Sequence, residues 1–382
     1  MATERDAPYP ELKKTHTAAH KGTPWRDYKP PASAPVWNVI QGFGNYWLLV
    51  AAIDLGIFDT LGALGPTGVE PVATAIGAPV THTRFLLDGL VAIGMIEQYR
   101  DRYELGELGE RYLASNGPAS MADLVRVAPG PLENWSELAE TIRRGRPAHP
   151  IEDDPVAFYR PLVEATFATI LRAATRADLR IGYSRSVANP RILDLGAGGA
   201  PWAVAMLQAC PGSTAVVNDL PGVIDVAQQK AAAHGVADRI EFRTGDFHTI
   251  PIEHGEYDYV VLGHVCRTEG EEGARHLIER AFAALRPEGR LILSDYFPDN
   301  TRTYNPFGVL MGVTMMAATE RGFTFTHEQF VGWLRDAGFE AIRLVEPIGF
   351  QQVFVASRPR AQRAPSSIPQ PTTVPTTSGG AS

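Results

Sequence analysis

A glycine-rich turn preceded by an aspartate is the strongest chemical signal in the sequence. Residues 194–199 read Asp-Leu-Gly-Ala-Gly-Gly and lie between an apolar segment typical of a strand and a predicted helix that begins near Pro201. Glycines such as Gly196 and Gly198 let the backbone approach a ligand where a Cβ atom would clash. Asp194 favours a ligand with a cationic end over a pyrophosphate, and the glycines are not in the G-x-G-x-x-G register of dinucleotide-binding turns.

Two further acidic residues stand at the ends of the next two predicted strands. Asp219, followed by Leu220, ends one strand, and Asp246, followed by Phe247, comes directly after the next. A carboxylate at the first position can accept hydrogen bonds from both ribose hydroxyls of an adenosine ligand. Asp246 can accept from the adenine amino group while Phe247 covers the ring. A glycine turn alone often serves only tight packing, but together the three strand ends predict one nucleoside site.

The elements that position these residues alternate between strands and helices from residue 191 onward. Apolar segments typical of strands are 191–195, 214–219, 240–244, 257–262 and 290–294, and helical patterns cover 203–209, 223–234 and 273–285. Such alternation indicates an α/β fold with a parallel, doubly wound sheet. The carboxyl ends of its strands would then meet at one edge of the sheet.

The first third of the chain is mostly helical. A broad apolar pattern that starts at Val36 predicts one helix that runs on to Gly62 and Gly65, and short helices are predicted at 69–76 and 81–93 before a small hairpin over 95–105. This order is a winged-helix arrangement, whose most common use is DNA binding. The segment that would read DNA carries one arginine against one aspartate, so packing or dimerisation is favoured.

These patterns divide the chain into five parts. We predict a polar N-terminal arm at 1–35, a winged-helix dimerisation domain at 36–115, a helical linker contributing to a substrate pocket at 116–185, a catalytic domain at 186–357 and a disordered tail at 358–382.

Composition excludes several classes of partner. A net charge of −8 gives no general attraction for nucleic acid or anionic lipid, and the only two cysteines, Cys210 and Cys266, do not have the spacing of a disulfide framework or a zinc site. No apolar run has the roughly 18 residues that a membrane span needs. We therefore expect a cytoplasmic protein with a small-molecule substrate, no nucleic acid or membrane partner, and no metal.

The motifs together resemble class I methyltransferases, and specifically the O-methyltransferase family with an N-terminal winged-helix dimerisation domain, over about residues 36–357. Beyond the glycine turn, the likeness lies in the segments 52–58, 218–223, 245–247, 285–290 and 326–339. It implies a Rossmann-like catalytic domain, S-adenosylmethionine as cofactor, and a homodimer. Ala200 departs from the family in standing where a third glycine is usual. The cofactor contacts that we predict are Asp194, Gly196, Gly198, Asp219, Leu220, Asp246, Phe247 and Gly263.

The catalytic positions depart further from the family. In that family a histidine after the fourth strand deprotonates the acceptor hydroxyl, and two acidic residues orient it. Asp295 matches the first acid, but Arg267 stands at the histidine position and Thr324 at the second acid. Arginine stays protonated and is a poor base. We expect Arg267 to bind an anionic substrate group or to stabilise a phenolate or enolate, while His264 or Asp295 handles the proton.

Structural roles remain open for the same residues. Arg267 could be a surface arginine paired with one of the nearby carboxylates Glu269, Glu271 and Glu272. His264, at the end of a buried strand, could be satisfied by hydrogen bonds to the backbone. Neither residue would then take part in chemistry.

An apolar, aromatic acceptor suits the residues predicted for the substrate pocket, which are Trp135, Phe158, Phe167, Phe307, Met311 and Met315. Methionines at helical spacing also fill cores, so core packing is the alternative for several of them. The predicted reaction is methyl transfer to a hydroxyl oxygen of a small aromatic or polyketide-like metabolite. Methylation of an activated carbon, a relative with a reaction other than methyl transfer, and a ligand-binding regulator remain alternatives.

Overall fold

The structure is a computed structural model that describes residues 29–360. Most of the predicted arm at 1–35 and tail at 358–382 therefore lies outside the described residues. The helices are α1 Ala34–Asp54, α2 Ile57–Leu64, α3 Val69–Ile76, α4 Val80–Ala92, α5 Ala122–Val127, α6 Leu132–Ser136, α7 Leu138–Arg144, α8 Pro155–Ile181, α9 Tyr183–Ser186, α10 Pro201–Ala209, α11 Ile224–Ala233, α12 Gly270–Ala284, α13 Pro306–Ala318 and α14 His327–Asp336. The strands are β1 Glu97–Tyr99, β2 Arg102–Glu104, β3 Arg191–Leu195, β4 Thr214–Asp219, β5 Ile240–Thr244, β6 Tyr257–Gly263, β7 Leu285–Asp295, β8 Glu340–Ile348 and β9 Gln351–Ser357.

The N-terminal unit consists of α1 to α4 and the hairpin β1–β2. The prediction of one long first helix is wrong, because the helix is interrupted between α1 and α2 at Gly56, whose φ of +64° is outside the helical region. Glycine adopts this left-handed conformation without the steric cost of a Cβ atom. Helices α3 and α4 and the hairpin lie where the pattern predicted them. Their apolar faces meet in one core that contains Phe58, Leu87 and Tyr103.

The large sheet has seven strands in the order β5-β4-β3-β6-β7-β9-β8. Strands β3 to β7 pair in parallel, which confirms the predicted alternation, whereas β9 runs antiparallel to β7 and β8 antiparallel to β9. The sequence analysis did not predict β8 and β9, and it placed the start of β7 at residue 290 instead of Leu285. The antiparallel edge makes the sheet mixed.

The strand order changes direction at β3, which lies between β4 and β6, and this switch point positions the candidate site. Strand β3 pairs with both β4 and β6, so the helices that follow these strands begin on opposite faces of the sheet. Ligands of such sheets bind in the crevice at the carboxyl ends of the strands at this switch point. The long helix α8 crosses the same edge, and its Val163 and Phe167 lie against the glycine turn after β3.

Within residues 29–360 no individual helix is long and apolar enough to cross a membrane. Only when helices α1 and α2 are taken together do they have the length and apolar composition of a membrane-spanning segment, and the two helices meet at a bend of 57°.

Candidate active site

One cavity of about 1260 Å³ opens at the carboxyl ends of the parallel strands. It lies between the sheet, helix α8, helix α13 and the segment 111–135, which precedes α8. The residues predicted for the cofactor and the acceptor that line it are Asp194, Gly196, Gly198, Asp219, Leu220, Asp246, Phe247, Gly263, Trp135, Phe158, Phe167, Phe307, Met311 and Met315. His264 and Arg267 line it as well, and both contact Asp295, which lies just behind the wall.

The glycine turn after β3 is held by close packing on two sides. Gly196 has a φ of +61°, and a Cβ atom there would lie 2.6 Å from Val265 Cγ1 and 3.1 Å from Phe247 Cδ1. Gly198 has a φ of +59°, and its Cβ would lie 2.8 Å from Val163 Cγ1. Any side chain would therefore be strained and would displace its neighbours. Ala200, which stands where a glycine is usual in the family, is fully buried at a φ of +57°.

Asp194 is a buried carboxyl group that faces the cavity, and no cationic side chain among residues 29–360 pairs with it. It is 1% exposed and accepts one hydrogen bond, from the Ala203 N–H at 3.2 Å. Burial raises its pKa to about 7, the Ala203 hydrogen bond opposes the rise, and the nearby charge of Asp219 adds to it. A cationic group bound in the cavity would stabilise the ionised carboxylate, because a nearby opposite charge lowers the pKa of an acid.

Asp219 and Asp246 lie at the ends of β4 and β5, next to the glycine turn. Asp219 Oδ2 accepts a hydrogen bond from the Gly198 N–H at 2.6 Å, and its Oδ1 accepts one from the Leu220 N–H at 2.7 Å. Burial raises the pKa of Asp219, and these two backbone donors oppose the rise. Asp246 Oδ1 accepts from the His248 N–H at 2.8 Å. The three acidic residues that the sequence singled out are therefore brought to one wall.

Arg267 is not a surface residue paired with the following glutamates, so that structural alternative is wrong. Its side chain is 14% exposed, and Nη1 donates to Asp295 Oδ1 and to the His264 carbonyl, each at 2.8 Å. Burial is the largest influence and would lower the pKa of Arg267, but the charge and hydrogen bond of Asp295 together with the phenols of Tyr296 and Tyr159 outweigh burial and raise the pKa. Arg267 Nε is buried and has no hydrogen-bond partner among the described residues. The hydrogen-bonding capacity of this N–H is therefore unmet by the described residues.

Asp295 is held as a carboxylate by its neighbours. Burial would raise its pKa, but Arg267 and His264 outweigh burial and lower the pKa to about 2. Its Oδ1 also accepts from the Tyr296 N–H at 2.9 Å. A carboxylate with such a low pKa is a weak proton acceptor at neutral pH.

His264 is not satisfied by the backbone, which corrects the second structural alternative. Its N–H donates to the Ser294 carbonyl at 2.7 Å, but both ring nitrogens are buried without a hydrogen-bond partner among the described residues. The ring Nδ1 lies 3.7 Å from Asp295 Oδ1, beyond hydrogen-bond distance. Burial lowers the pKa of the ring, and the nearby carboxylate only partly offsets this. The imidazole is therefore neutral at neutral pH.

His264 also has an unusual backbone conformation. Its φ of +65° lies in the left-handed region, which costs a non-glycine residue of order 1–3 kcal/mol. This turn directs the chain away from β6 and leaves the ring in contact with Tyr296, at 4.9 Å between ring centroids.

Thr324, at the position of the second acid in the family, has a structural role. It is 4% exposed, and its hydroxyl donates to the Gly308 carbonyl at 2.9 Å in the first turn of α13. It therefore fixes α13, which carries Met311 and Met315 to the cavity.

The acceptor side of the cavity is mostly aromatic and apolar. Tyr296 contacts Phe307 at 5.0 Å between ring centroids, and Phe307 stacks on Phe350 at 4.3 Å. Sequence reasoning missed Tyr296 and Phe350, although Tyr296 follows a predicted site residue directly. Phe167, which also lines the cavity, is 5% exposed and lies against Gly199 at the glycine turn.

Comparison with family models gives two matches along the chain. A model described as the O-methyltransferase domain matches residues 183–340, and one described as the O-methyltransferase dimerisation domain matches residues 37–115. Together they cover more than half of the chain.

Curated relatives and solved structures agree with these matches. The chain is 27% identical to the 3-hydroxy-5-methyl-1-naphthoate 3-O-methyltransferase of Streptomyces sahachiroi, over 81% of this chain and 90% of that one. It is 27% identical to the tetracenomycin polyketide synthesis 8-O-methyl transferase of Streptomyces glaucescens, over 85% of this chain and 96% of that one. The structure of human N-acetylserotonin methyltransferase in complex with S-adenosylmethionine superimposes with a TM-score of 0.74 at 24% identity, covering 87% of this chain and 99% of that one.

Proposed function

The chain belongs to the O-methyltransferase family with an N-terminal dimerisation domain, and from this premise we propose that it transfers the methyl group of S-adenosylmethionine to a hydroxyl oxygen of a small aromatic or polyketide-like metabolite. The relatives named for a naphthoate and for a tetracenomycin polyketide support this class of acceptor. The observation that carries the proposal is the pairing of an aspartate-lined nucleoside wall with an aromatic wall across one cavity.

The cavity fits S-adenosylmethionine at its strand-end wall. The pKa of Asp194 is raised mainly by burial, and the cofactor's ammonium would supply a positive charge that stabilises the carboxylate. Asp219 would accept from the ribose hydroxyls and Asp246 from the adenine amino group, with Phe247 against the ring. The remaining predicted contacts, Leu220 and Gly263, line the same wall. Once bound, the cofactor supplies a methyl group on a reactive sulfonium, so the protein's main task is to place the acceptor in line with it.

We assign the proton-accepting role to His264. Its ring is neutral and lines the cavity, and neither ring nitrogen has a partner among the described residues, so the nitrogen without a hydrogen can accept a proton. Asp295 is a poorer candidate because its pKa is about 2 and Arg267 occupies one of its oxygens. Asp295 instead keeps Arg267 in place and lies near enough to stabilise a protonated His264.

We assign Arg267 to the acceptor oxygen. Its unpartnered Nε can donate to a developing phenolate, and a fixed donor at a place where charge develops stabilises a transition state. An arginine at this position also favours acceptors whose hydroxyl ionises readily. The base and the phenolate-binding group are thereby two residues three positions apart.

A homodimer in the cytoplasm completes the proposal. Helix α1 exposes a row of large apolar side chains, which are Val36, Trp37, Val39, Ile40, Phe43 and Trp47. A patch of this kind on a described surface is typical of a protein interface. The match of residues 37–115 to the dimerisation domain includes most of this helix.

The test is turnover of hydroxyaromatic acceptors with labelled S-adenosylmethionine, with the product mass and the methylated atom determined by mass spectrometry and NMR. A methoxy product is expected. A new carbon–carbon methyl bond would instead favour methylation of an activated carbon, and no methylated product from a broad panel of naphthols, hydroxynaphthoates and polyketide phenols would contradict the proposal.

The residue assignments are tested with paired variants. His264→Asn should lower the rate about 100-fold or more while leaving cofactor affinity unchanged. Arg267→Lys keeps a charge beside Asp295 but removes the guanidinium, so the rate should fall while the fold remains. Unchanged rates for either variant would remove that residue from the mechanism.

A further inference from the structure

A group of arginines lines the cavity at the end remote from the catalytic residues. Arg172 and Arg176 are one turn apart on α8, and Arg111 reaches the same cavity from the N-terminal side. Arg172 is half-buried, and its Nη1 donates to the Pro118 carbonyl. We call Arg111, Arg172 and Arg176 the arginine group.

No carboxylate among the described residues forms an ion pair with any of these three side chains. Burial lowers the pKa of Arg172, and the charges of Arg111 and Arg176 lower it further, while among the groups that affect it only the phenol of Tyr112 opposes this. Like charges one turn apart on a helix destabilise it. Arg172 is half-buried at this end of the cavity, whereas Arg111 and Arg176 are exposed beside it, so this end is locally positive in a chain whose net charge is −8.

A second, independent feature lies on the same face of α8. The hydroxyl oxygen of Thr169, three residues before Arg172, is buried without a hydrogen-bond partner among the described residues, and Thr169 lines the cavity. Buried polar atoms in native proteins almost always have a partner. A ligand that contacts the arginine group can supply the missing one.

The arginine group is far from the site of methyl transfer. Tyr159 marks the catalytic end of α8, where burial raises the pKa of its phenol to about 12 and the nearby charge of Arg267 opposes the rise. A helix rises about 1.5 Å per residue, so Arg172 lies about 20 Å along α8 from Tyr159. The cavity of about 1260 Å³ exceeds the common range for one ligand and has room for an elongated acceptor beside the cofactor.

We propose that the arginine group binds a carboxylate or phosphate at the far end of an elongated methyl acceptor, with Thr169 as an additional donor. This inference rests on the proposed function, since it specifies the acceptor of the same site. The hydroxyl to be methylated lies near His264 and Arg267, and an extended tail follows α8 to the anionic terminus.

The experiment measures binding to the full-length protein loaded with S-adenosylhomocysteine. The probes are ω-(4-hydroxyphenyl)alkanoic acids of increasing chain length, the corresponding ω-(4-hydroxyphenyl)alkyl phosphates, and the neutral methyl esters of the acids. Calorimetry gives the affinity of each, and the turnover of each is measured separately with S-adenosylmethionine. The carboxylate and phosphate arms distinguish which anion is preferred.

We expect long anionic probes to bind at least about tenfold more tightly than the matched esters, because charge-assisted hydrogen bonds stabilise the anion. Arg172→Gln and Arg176→Gln should each remove about tenfold of that preference and leave the esters unchanged. Arg144→Gln is the matched control, since Arg144 is an exposed arginine on α7 outside the cavity lining. Thr169→Val should reduce the preference without changing any charge.

Three outcomes would overturn the inference. The first is equal binding, or no binding, of anionic and neutral probes by the wild-type protein. The second is an equal loss for acids and esters in the arginine variants. The third is a change in the dimer dissociation constant of those variants with no change in anion binding, which would assign the arginine group to the subunit interface. Turnover of neutral hydroxyaromatics in any of these cases would leave the proposed function standing.

Discussion

Replacing Asp194 with asparagine should stabilise the folded protein without cofactor while it abolishes tight cofactor binding. No cationic side chain among the described residues pairs with the Asp194 carboxyl, and burial raises its pKa from the ordinary 3.8 to about 7. A difference of about 3 pKa units corresponds to about 4 kcal/mol at about 1.4 kcal/mol per unit. This value is the upper limit of the free energy by which ionised Asp194 destabilises the fold, because an asparagine also needs partners for its amide.

The pH dependence of this effect has a definite sign. The unfolded chain loses the Asp194 proton near pH 4, whereas the folded protein retains it up to about pH 7. Between these values the folded state binds more protons, so its stability relative to the unfolded state falls as the pH rises. Asparagine does not titrate. The stability of Asp194→Asn minus that of the wild type should therefore be small near pH 4 and grow until about pH 7.

The assay is thermal unfolding without cofactor, followed by circular dichroism between about pH 5 and pH 8.5. At about 2–4 °C per kcal/mol, the limit of about 4 kcal/mol means that the variant should melt up to about 8–16 °C higher at the alkaline end. Its affinity for S-adenosylmethionine should fall about 10- to 100-fold, since a hydrogen bond to a charged group contributes about 1.5–3 kcal/mol.

Asp336→Asn provides the control, because Asp336 is an exposed aspartate paired with Arg275 on the surface. It should change neither the pH profile nor the cofactor affinity. If Asp194→Asn were less stable than the wild type at pH 8, or if the difference did not vary with pH, the idea that the ionised, unpaired Asp194 destabilises the fold would be refuted.

Two further predictions concern the base and the glycine turn. Burial lowers the pKa of His264 below its ordinary 6.5, so the methylation rate should stay level as the pH falls to about 6.5 and decline only below that pH. The variant His264→Asn should give a low rate with no such decline. A decline that persists in the variant would show that another group titrates. Gly198→Ala should lower the stability by at least about 1–2 kcal/mol and weaken S-adenosylmethionine binding, because its φ is +59° and the new Cβ would lie 2.8 Å from Val163 Cγ1. The control is Gly235→Ala, because the φ of +67° at Gly235 brings the same backbone strain but its Cβ would meet no atom within 4 Å. Calorimetry of the two variants therefore separates the effect of the clash from that of the strain. Equal behaviour of the two variants would contradict the packing argument.

Much of the cofactor wall could be predicted from the sequence. The periodicity of strands and helices placed β3, β4 and β5 at their observed bounds, and parallel strands of one sheet end at the same edge. Residues directly after these strands, such as Asp219 and Asp246, are therefore brought together by topology alone. The break at Gly56 was not predicted, because the apolar pattern of α1 continues into α2 and one glycine in such a pattern does not by itself end a helix.

The catalytic group and the far end of the cavity were decided only by the tertiary structure. The sequence identified Arg267, His264 and Asp295 as candidates, but whether Arg267 paired with a neighbouring glutamate or with Asp295 depends on how β6 and β7 lie side by side. The ring nitrogens of His264, which have no partner among the described residues, and the closeness of Arg111 to Arg172 follow from contacts between segments that are distant along the chain. Local patterns carry the information for strand ends, whereas ion pairs, buried unpartnered atoms and the walls of a cavity depend on the packing of separate elements.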